Sequence, residues 1–182
     1  MNKFILNRED VVLFIIDIQE KLVPVMKYKD QVINNNKILI SAAREMKFPV
    51  IVTEQYPKGL GRTVPDLLDL IDEENVFAKN SFTAYIEEVK ENLKSLGKEK
   101  VLVTGMETHI CVFQTVRDLI NDGYEVFLVK DGVASRAKSN FINGLDLMKD
   151  LGAVITNTET VVFDLLKVSG TPEFKLMSKL IK

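Results

Sequence analysis

Three residues that lie far apart in the sequence carry side chains that together could cleave an amide bond: Asp17, Lys79 and Cys111. Cys111 comes near the start of a predicted helix, where the helix dipole would stabilise a thiolate and lower its pKa below the ~8.5 of a free thiol. A nearby Lys79 ammonium would lower that pKa further. The Asp17 carboxylate could take the thiol proton and later deliver it to a leaving group. Backbone N–H groups in the turn before Cys111 could hold a developing oxyanion.

Each of these residues also has a simpler interpretation when it is taken alone. Asp17 could be a helix cap or a turn residue, Lys79 a solvated loop residue, and Cys111 a small buried hydrophobe. Their combination is the stronger signal, because each follows a predicted strand and ligands in open α/β sheets bind beyond the carboxyl ends of the strands.

Short apolar runs alternate with longer amphipathic segments along the chain. Residues 11–16 form a continuous apolar run that ends at Asp17, which is typical of a strand buried on both faces of a parallel sheet. The predicted strands are 11–16, 49–53, 75–78, 100–104, 125–129 and 153–156; the predicted helices are 31–46, 86–96, 110–120 and 139–151. Six strands separated by helices predict an α/β fold with a mainly parallel sheet and helices on both of its faces.

Two further helices are predicted after the last strand. One begins at residue 157 or 158, and the other at Thr171-Pro172-Glu173, where Thr can cap, Pro fits the first turn and Glu favours the positive end of the dipole. The apolar face of helix 172–181 is expected to pack on the domain or on a partner subunit. The stretch 54–66 is the longest irregular segment, and a loop of that length is usually functional or disordered.

Composition excludes several classes of protein. The 182 residues are 46% hydrophobic, which predicts one domain spanning residues 1–182 with a sizeable core. The net charge of −2 gives no footprint for nucleic acid. One cysteine excludes an internal disulfide and a cysteine-cluster metal site, and one histidine excludes a site with two imidazoles. Without a signal-peptide pattern or an apolar run near ~20 residues, we expect a cytoplasmic protein with no membrane partner.

The segment Gly105-Met-Glu-Thr-His-Ile-Cys-Val112, together with Ile16-Asp-Ile-Gln19 and Lys79, resembles the isochorismatase-like cysteine hydrolases over about residues 10–165. The resemblance implies a three-layer α/β/α fold whose six-stranded parallel sheet has the order 3-2-1-4-5-6. It also implies that Asp17 is the proton shuttle, Lys79 its electrostatic partner and Cys111 the nucleophile. A homo-oligomer is expected from this resemblance and from the apolar last helix.

The resemblance further implies a non-proline cis peptide bond at Met106–Glu107. Its implied use is to direct the Glu107 N–H, with that of Cys111, at the oxyanion. No cofactor or metal is expected: the family's nicotinamidases hold a metal with histidines after the second strand, and residues 53–62 contain none. The loop of residues 54–61 resembles that of a branch of small single-domain members of the family. The resemblance does not indicate their substrate.

Substrate contacts are predicted by position, and the expected partner is a small molecule with a cleavable amide or related C–N bond. The candidates are Gln19, Gln55, Tyr56, Phe82, Tyr85, Thr108 and His109. Phe82 and Tyr85 could equally belong to the core, and His109 could be a cap or rim residue. Two other hypotheses stay open: a non-catalytic oligomeric binding scaffold that retains the fold, and a flavodoxin-like binding domain, which would have five strands.

Overall fold

The computed structural model describes residues 4–181 and contains one six-stranded parallel sheet with the order β3-β2-β1-β4-β5-β6. The strands are β1 Val11–Ile16, β2 Val50–Gln55, β3 Val76–Lys79, β4 Lys100–Met106, β5 Glu125–Ala134 and β6 Val154–Thr156. The strand number is the one that the sequence pattern predicts, and the order is the one that the family resemblance implies. The predicted fold class is therefore confirmed, and the five-stranded flavodoxin-like alternative is wrong.

Helices cover both faces of the sheet and complete the three layers. They are α1 Lys29–Met46, α2 Pro57–Leu60, α3 Pro65–Leu68, α4 Glu87–Leu96, α5 Phe113–Asn121, α6 Lys138–Asp150, α7 Thr158–Leu166 and α8 Pro172–Leu180, with 3-10 turns at Val23–Val25 and Glu73–Asn75 and a π-helical turn at Thr108–Val112. Buried residues of α1, α7 and α8 form one core cluster with the sheet, and those of α4, α5 and α6 form the other.

The central strand β1 divides its side chains between these two cores. Leu13 and Ile15 join the cluster with α1, whereas Phe14 and Ile16 join the cluster with α4 and α5. All six residues of β1 are fully buried, because parallel neighbours and helices cover the strand on every side. The continuous apolar run in the sequence is explained by this double burial.

Three strands extend further than their sequence patterns predict. Residues 54 and 55 belong to β2 and pair with β3, and β4 continues to Met106. β5 continues to Ala134 through a register shift opposite β4. Helix α5 begins at Phe113 rather than at residue 110, because the π-helical turn precedes it. The stretch 54–66 is less irregular than predicted, since it contains the end of β2, helix α2 and the start of α3.

The two C-terminal helices begin where the sequence predicts, and the second has the predicted Thr171 cap. The Asn157 side chain accepts a hydrogen bond from the Thr160 N–H, and the Thr171 hydroxyl accepts one from the Phe174 N–H. Met177 of α8 is fully buried in the core cluster that contains α1, so this helix packs on its own chain. Among residues 4–181, no helix is long and apolar enough to cross a membrane.

Candidate active site

The sheet brings the carboxyl ends of β1, β2, β3 and β4 to one edge. Ile16 is in register with Thr53 on one side and with Gly105 on the other, and Gln55 is in register with Lys79. Asp17 directly follows β1, Lys79 is the last residue of β3, and the turn that carries Cys111 follows β4. Residues separated by up to 94 positions in the chain therefore meet at this edge, as the sequence predicts for a parallel sheet.

Asp17 is fully buried at the end of β1 and lies in the left-handed region, with φ of 53°. Its N–H donates to the Thr53 carbonyl at 3.1 Å, and its Oδ1 accepts from the Thr53 hydroxyl at 2.9 Å. Its Oδ2 lies 2.7 Å from the Lys79 Nζ in an ion pair whose two side chains are both fully buried. Burial raises the pKa of the Asp17 carboxyl, and the positive charge of Lys79 opposes that rise.

The Lys79 ammonium is held by oxygen atoms from three directions besides Asp17. It donates to the Gln55 Oε1 at 2.7 Å, to the Ser81 carbonyl at 3.1 Å and to the Phe82 carbonyl at 3.2 Å. Lys79 has to reach across β2 to Asp17, and the long lysine stem makes that reach possible. The loop after β3 therefore fixes the position of the charge.

Cys111 lies in the π-helical turn and has 7% of its surface exposed. Burial raises the pKa of its thiol to about 12, and the negative charge of Asp17 and a hydrogen bond between the two side chains raise it as well. Lys79 and a backbone hydrogen bond from Glu107 act in the opposite direction. The expected lowering of this pKa is therefore wrong, because the desolvation of the thiol and the charge of Asp17 outweigh Lys79 and the turn.

The Met106–Glu107 peptide bond is cis. The Glu107 carbonyl accepts hydrogen bonds from the N–H groups of Ile110 at 3.0 Å and Val112 at 3.3 Å, and so closes the turn around Cys111. The buried Glu107 carboxylate binds the Arg136 Nε at 3.1 Å and accepts from the Arg136 N–H at 3.0 Å. Glu107 thus ties the turn to the segment between β5 and α6.

Two of the predicted substrate contacts bind the protein itself. Gln19 is fully buried; its Nε2 donates to the Gln55 and Gly61 carbonyls at 2.9 and 2.7 Å, and its Oε1 accepts from the Gln55 N–H at 2.7 Å. Gln55 accepts from Lys79, and its Nε2 donates to the Asn80 carbonyl at 2.8 Å. Gln19 therefore anchors the loop after β2, and Gln55 positions Lys79.

The remaining predicted contacts have different environments. Tyr56 and Phe82 are exposed on the loops that follow β2 and β3, at the same edge as Asp17. Thr108 is fully buried, and its hydroxyl makes no hydrogen bond within residues 4–181. The Nδ1 of His109 lies 3.1 Å from the Ser135 Oγ. Tyr85 is buried and donates its hydroxyl proton to Asp122, which agrees with the core alternative for this residue.

The predicted site does not include Thr53 or Arg136. Thr53 is the last residue of a predicted strand, and a polar side chain at the end of a strand next to β1 is a usable signal. Arg136 carries no such signal, because the predicted fifth strand ends seven residues earlier. The extension of β5 brings Arg136 to the same edge, next to Glu107.

The carboxylate of Glu54 is hydrogen-bonded by residues of the loop that follows it. The buried carboxylate of Glu54 accepts from the Arg62 Nε at 3.0 and 3.1 Å and from the Thr63 N–H at 2.7 Å. Within the described range, 4–181, no group of three or more His, Cys, Asp or Glu side chains is arranged to hold a metal ion. The carboxylate within residues 53–62 is thus paired with the Arg62 guanidinium.

Residues 11–160 match the family model described as the isochorismatase domain. Isochorismatase family protein 1A of Dictyostelium discoideum is 41% identical over 169 residues, which cover 90% of this chain and 82% of that protein. The structure of MAR1 ribonuclease from Caenorhabditis elegans is 38% identical, with a TM-score of 0.91 over 97% of this chain and 91% of that one. YcaC from Escherichia coli, described as an octameric hydrolase of unknown specificity, shares the fold at 22% identity, with a TM-score of 0.91 over 97% of this chain and 90% of that one. The chain belongs to the isochorismatase family.

Proposed function

We propose that this protein is a cysteine hydrolase that cleaves an amide or related C–N bond of a small molecule. The observation that carries the proposal is the buried Asp17–Lys79 ion pair, with a 2.7 Å separation, in contact with the Cys111 thiol. A fully buried charged pair is costly to maintain unless it has a role, and this one is placed beside a nucleophile. Membership of a hydrolase family agrees with this activity.

The proposed reaction starts from a neutral thiol. Cys111 donates its proton to Asp17 as the sulfur attacks the carbonyl carbon, so that a C–S bond forms and the carbonyl oxygen becomes negative. Asp17 then gives the proton to the leaving nitrogen as the C–N bond breaks and a thioester remains. Water attacks this thioester after losing a proton to Asp17, and that proton returns to the sulfur when the acid product leaves. Lys79 stays charged throughout and offsets the negative charge that moves between Asp17 and Cys111.

Backbone donors complete the proposed site. We assign the N–H groups of Glu107 and Cys111 to the oxyanion, since both belong to the turn that carries the thiol. Tyr56, Phe82, Thr108 and His109 are the proposed substrate contacts, whereas Gln19 and Gln55 are assigned to positioning. No cofactor enters the proposed steps.

The test is turnover of a panel of small amides by the wild type and by Cys111→Ala. We expect Cys111→Ala to lose about 10³-fold or more in kcat, because the nucleophile is absent. Cys111→Ser keeps the shape of the side chain and serves as the matched variant. Mass spectrometry of the wild type during turnover should show an acyl group on Cys111, the only cysteine of the chain. An unchanged rate in Cys111→Ala would overturn the proposal.

A second candidate, RNA hydrolysis, is favoured by one observation, the 38% identity to a chain described as a ribonuclease. The net charge of −2 gives this chain no basic footprint of the kind that holds a phosphate backbone. Cleavage of RNA by the wild type and not by Cys111→Ala would favour this candidate over amide hydrolysis. Cleavage of neither substrate class would favour the non-catalytic scaffold.

The proposal also covers the oligomeric state and the cellular location of the protein. We propose a homo-oligomer, supported by exposed apolar side chains on α7 and α8 and by the octameric assembly described for YcaC, a protein of the same fold. The cytoplasmic location and the absence of nucleic-acid and membrane partners stay predictions.

A further inference from the structure

We infer that Thr115 is a positioning residue that couples the turn carrying Cys111 to the loop that holds Lys79. The inference rests on the proposed function, because it concerns how the same site is assembled. Thr115 lies in α5 and is fully buried, and the hydrogen bonds of its hydroxyl go to Cys111 and Ala84 rather than to Asp17 or Lys79. Its hydroxyl joins two segments that are separated by about thirty residues in the chain.

The hydroxyl of Thr115 makes two hydrogen bonds with different partners. It donates to the Cys111 carbonyl at 2.6 Å and accepts from the Ala84 N–H at 2.8 Å. The first bond is the ordinary contact of a helical threonine with the carbonyl four residues earlier. The second is not local, and it reaches a fully buried N–H group. A buried N–H without a partner is strongly unfavourable, so this bond specifies where residue 84 lies.

The segment that ends at Ala84 is the one that positions the lysine. The carbonyls of Ser81 and Phe82 accept hydrogen bonds from the Lys79 ammonium. The Thr115 hydroxyl thus connects the turn that carries Cys111 to the segment whose carbonyls bind the Lys79 ammonium. The distance between Cys111 and the Lys79 charge depends on this connection, and that charge lowers the pKa of the Cys111 thiol.

The variants Thr115→Val and Thr115→Ser separate the hydroxyl from the shape of the side chain. Valine keeps the shape and removes both hydrogen bonds, whereas serine keeps the hydroxyl and loses only a methyl group. The matched control is Thr104→Val. Thr104 is also fully buried and donates to the Asn36 Oδ1 at 2.6 Å, but it faces α1 on the other side of the sheet.

Two measurements are made on each folded protein: kcat and KM for an amide found in the panel, and the iodoacetamide alkylation rate of Cys111 between pH 7 and 11. In Thr115→Val we expect kcat to fall about tenfold with KM within about twofold, since the loss affects the reacting groups and not substrate binding. Alkylation should slow, because Lys79 would lower the thiol pKa less. Thr115→Ser should restore both values to within about threefold of the wild type, and Thr104→Val should leave both unchanged.

The inference is overturned if Cys111 is alkylated in Thr115→Val at the wild-type rate or faster. A faster rate is the result expected if the substitution only exposes the thiol. It is also overturned if Thr115→Ser is as impaired as Thr115→Val, or if Thr104→Val shows the same changes. If Thr115→Val does not fold, Thr115→Ala is compared with Thr115→Ser in the same way, and amide exchange at Ala84 in the wild type must be slow. Alkylation needs no substrate, so this result is independent of whether Cys111→Ala loses turnover.

Discussion

Asp17 combines a left-handed backbone, full burial and a carboxylate that faces a lysine. The backbone conformation alone costs roughly 1–2 kcal/mol for a residue with a side chain. Thr53 offsets part of this by a hydrogen bond to the carboxylate and by its carbonyl, which accepts from the Asp17 N–H. Such strain is kept where the surrounding structure enforces it, and here it directs the carboxylate at the Cys111 thiol.

Asp17→Asn should separate proton transfer from the reactivity of the thiol. The pKa of Cys111 stands at about 12 because of burial and because of the Asp17 charge. Asparagine carries no charge and cannot take the thiol proton. We therefore expect the rate of Cys111 alkylation at a given pH to rise while kcat falls by about 10³-fold. Iodoacetamide labelling across pH 7–11 and amide turnover are the two measurements.

The control for that variant is Asp66→Asn, which removes a carboxylate from an exposed ion pair with Lys37. It should change neither alkylation nor turnover. Slower alkylation of Asp17→Asn than of the wild type at the same pH would contradict the electrostatic account of the thiol.

The end of β4 approaches β1 more closely than a side chain would allow. Gly105 has φ of +126°, and a Cβ at this position would lie 2.0 Å from the Ile16 carbonyl oxygen. Gly105 is paired with Ile16 and comes directly before the cis peptide and the turn of Cys111. The missing side chain at residue 105 lets the two strand ends converge, and so lets Cys111 come to Asp17.

Gly105→Ala should destabilise the fold by about 2–4 kcal/mol, because the new methyl group must displace the backbone of β1. Urea unfolding measures the loss of free energy. Gly97→Ala is the matched control: Gly97 has φ of +61°, but a Cβ added there would have no atom within 4 Å, so only about 1 kcal/mol is expected. Equal losses in the two variants would show that the contact with Ile16 is unimportant.

The candidate active site lies at the carboxyl edge of the sheet, and apolar side chains are exposed elsewhere on the molecule. Phe163, Leu176 and Leu180 are each more than 40% exposed on α7 and α8, although Met177 between them is fully buried. Neighbouring exposed apolar side chains on two packed helices are typical of a surface that is covered in an assembly.

We expect the wild type to sediment as a species larger than its monomer of 20.6 kDa. Replacing Leu176 and Leu180 with Lys should shift it towards the monomer, because two charges would be buried at the interface. Ile142→Lys is the control, since this residue is equally exposed on α6, in the opposite helical layer. A wild type that is monomeric at every concentration would refute the oligomer.

The strands could be predicted because residues 11–16 and 100–104 are continuous apolar runs, which are typical of a doubly covered parallel sheet. Their order could be predicted only from the family resemblance, because apolar runs carry no information about which strands are neighbours. The meeting of Asp17, Lys79 and Cys111 could be predicted because each lies at or beyond the carboxyl end of a strand, and these ends of a parallel sheet meet at one edge. The length of β5 could not be predicted, since its extension depends on pairing with β4 through a register shift and not on the hydrophobic pattern of its own residues.

The sequence by itself therefore determined the fold class and indicated the three side chains proposed for the reaction, because hydrophobic period and strand ends are local properties of the chain. Only the tertiary structure decided that the pKa of the thiol is raised rather than lowered, since burial and the charge of Asp17 act against Lys79. The tertiary structure also gave Gln19, Gln55 and Thr115 their positioning roles. A hydrogen bond between segments dozens of residues apart leaves no mark on local sequence and exists only when the chain is folded.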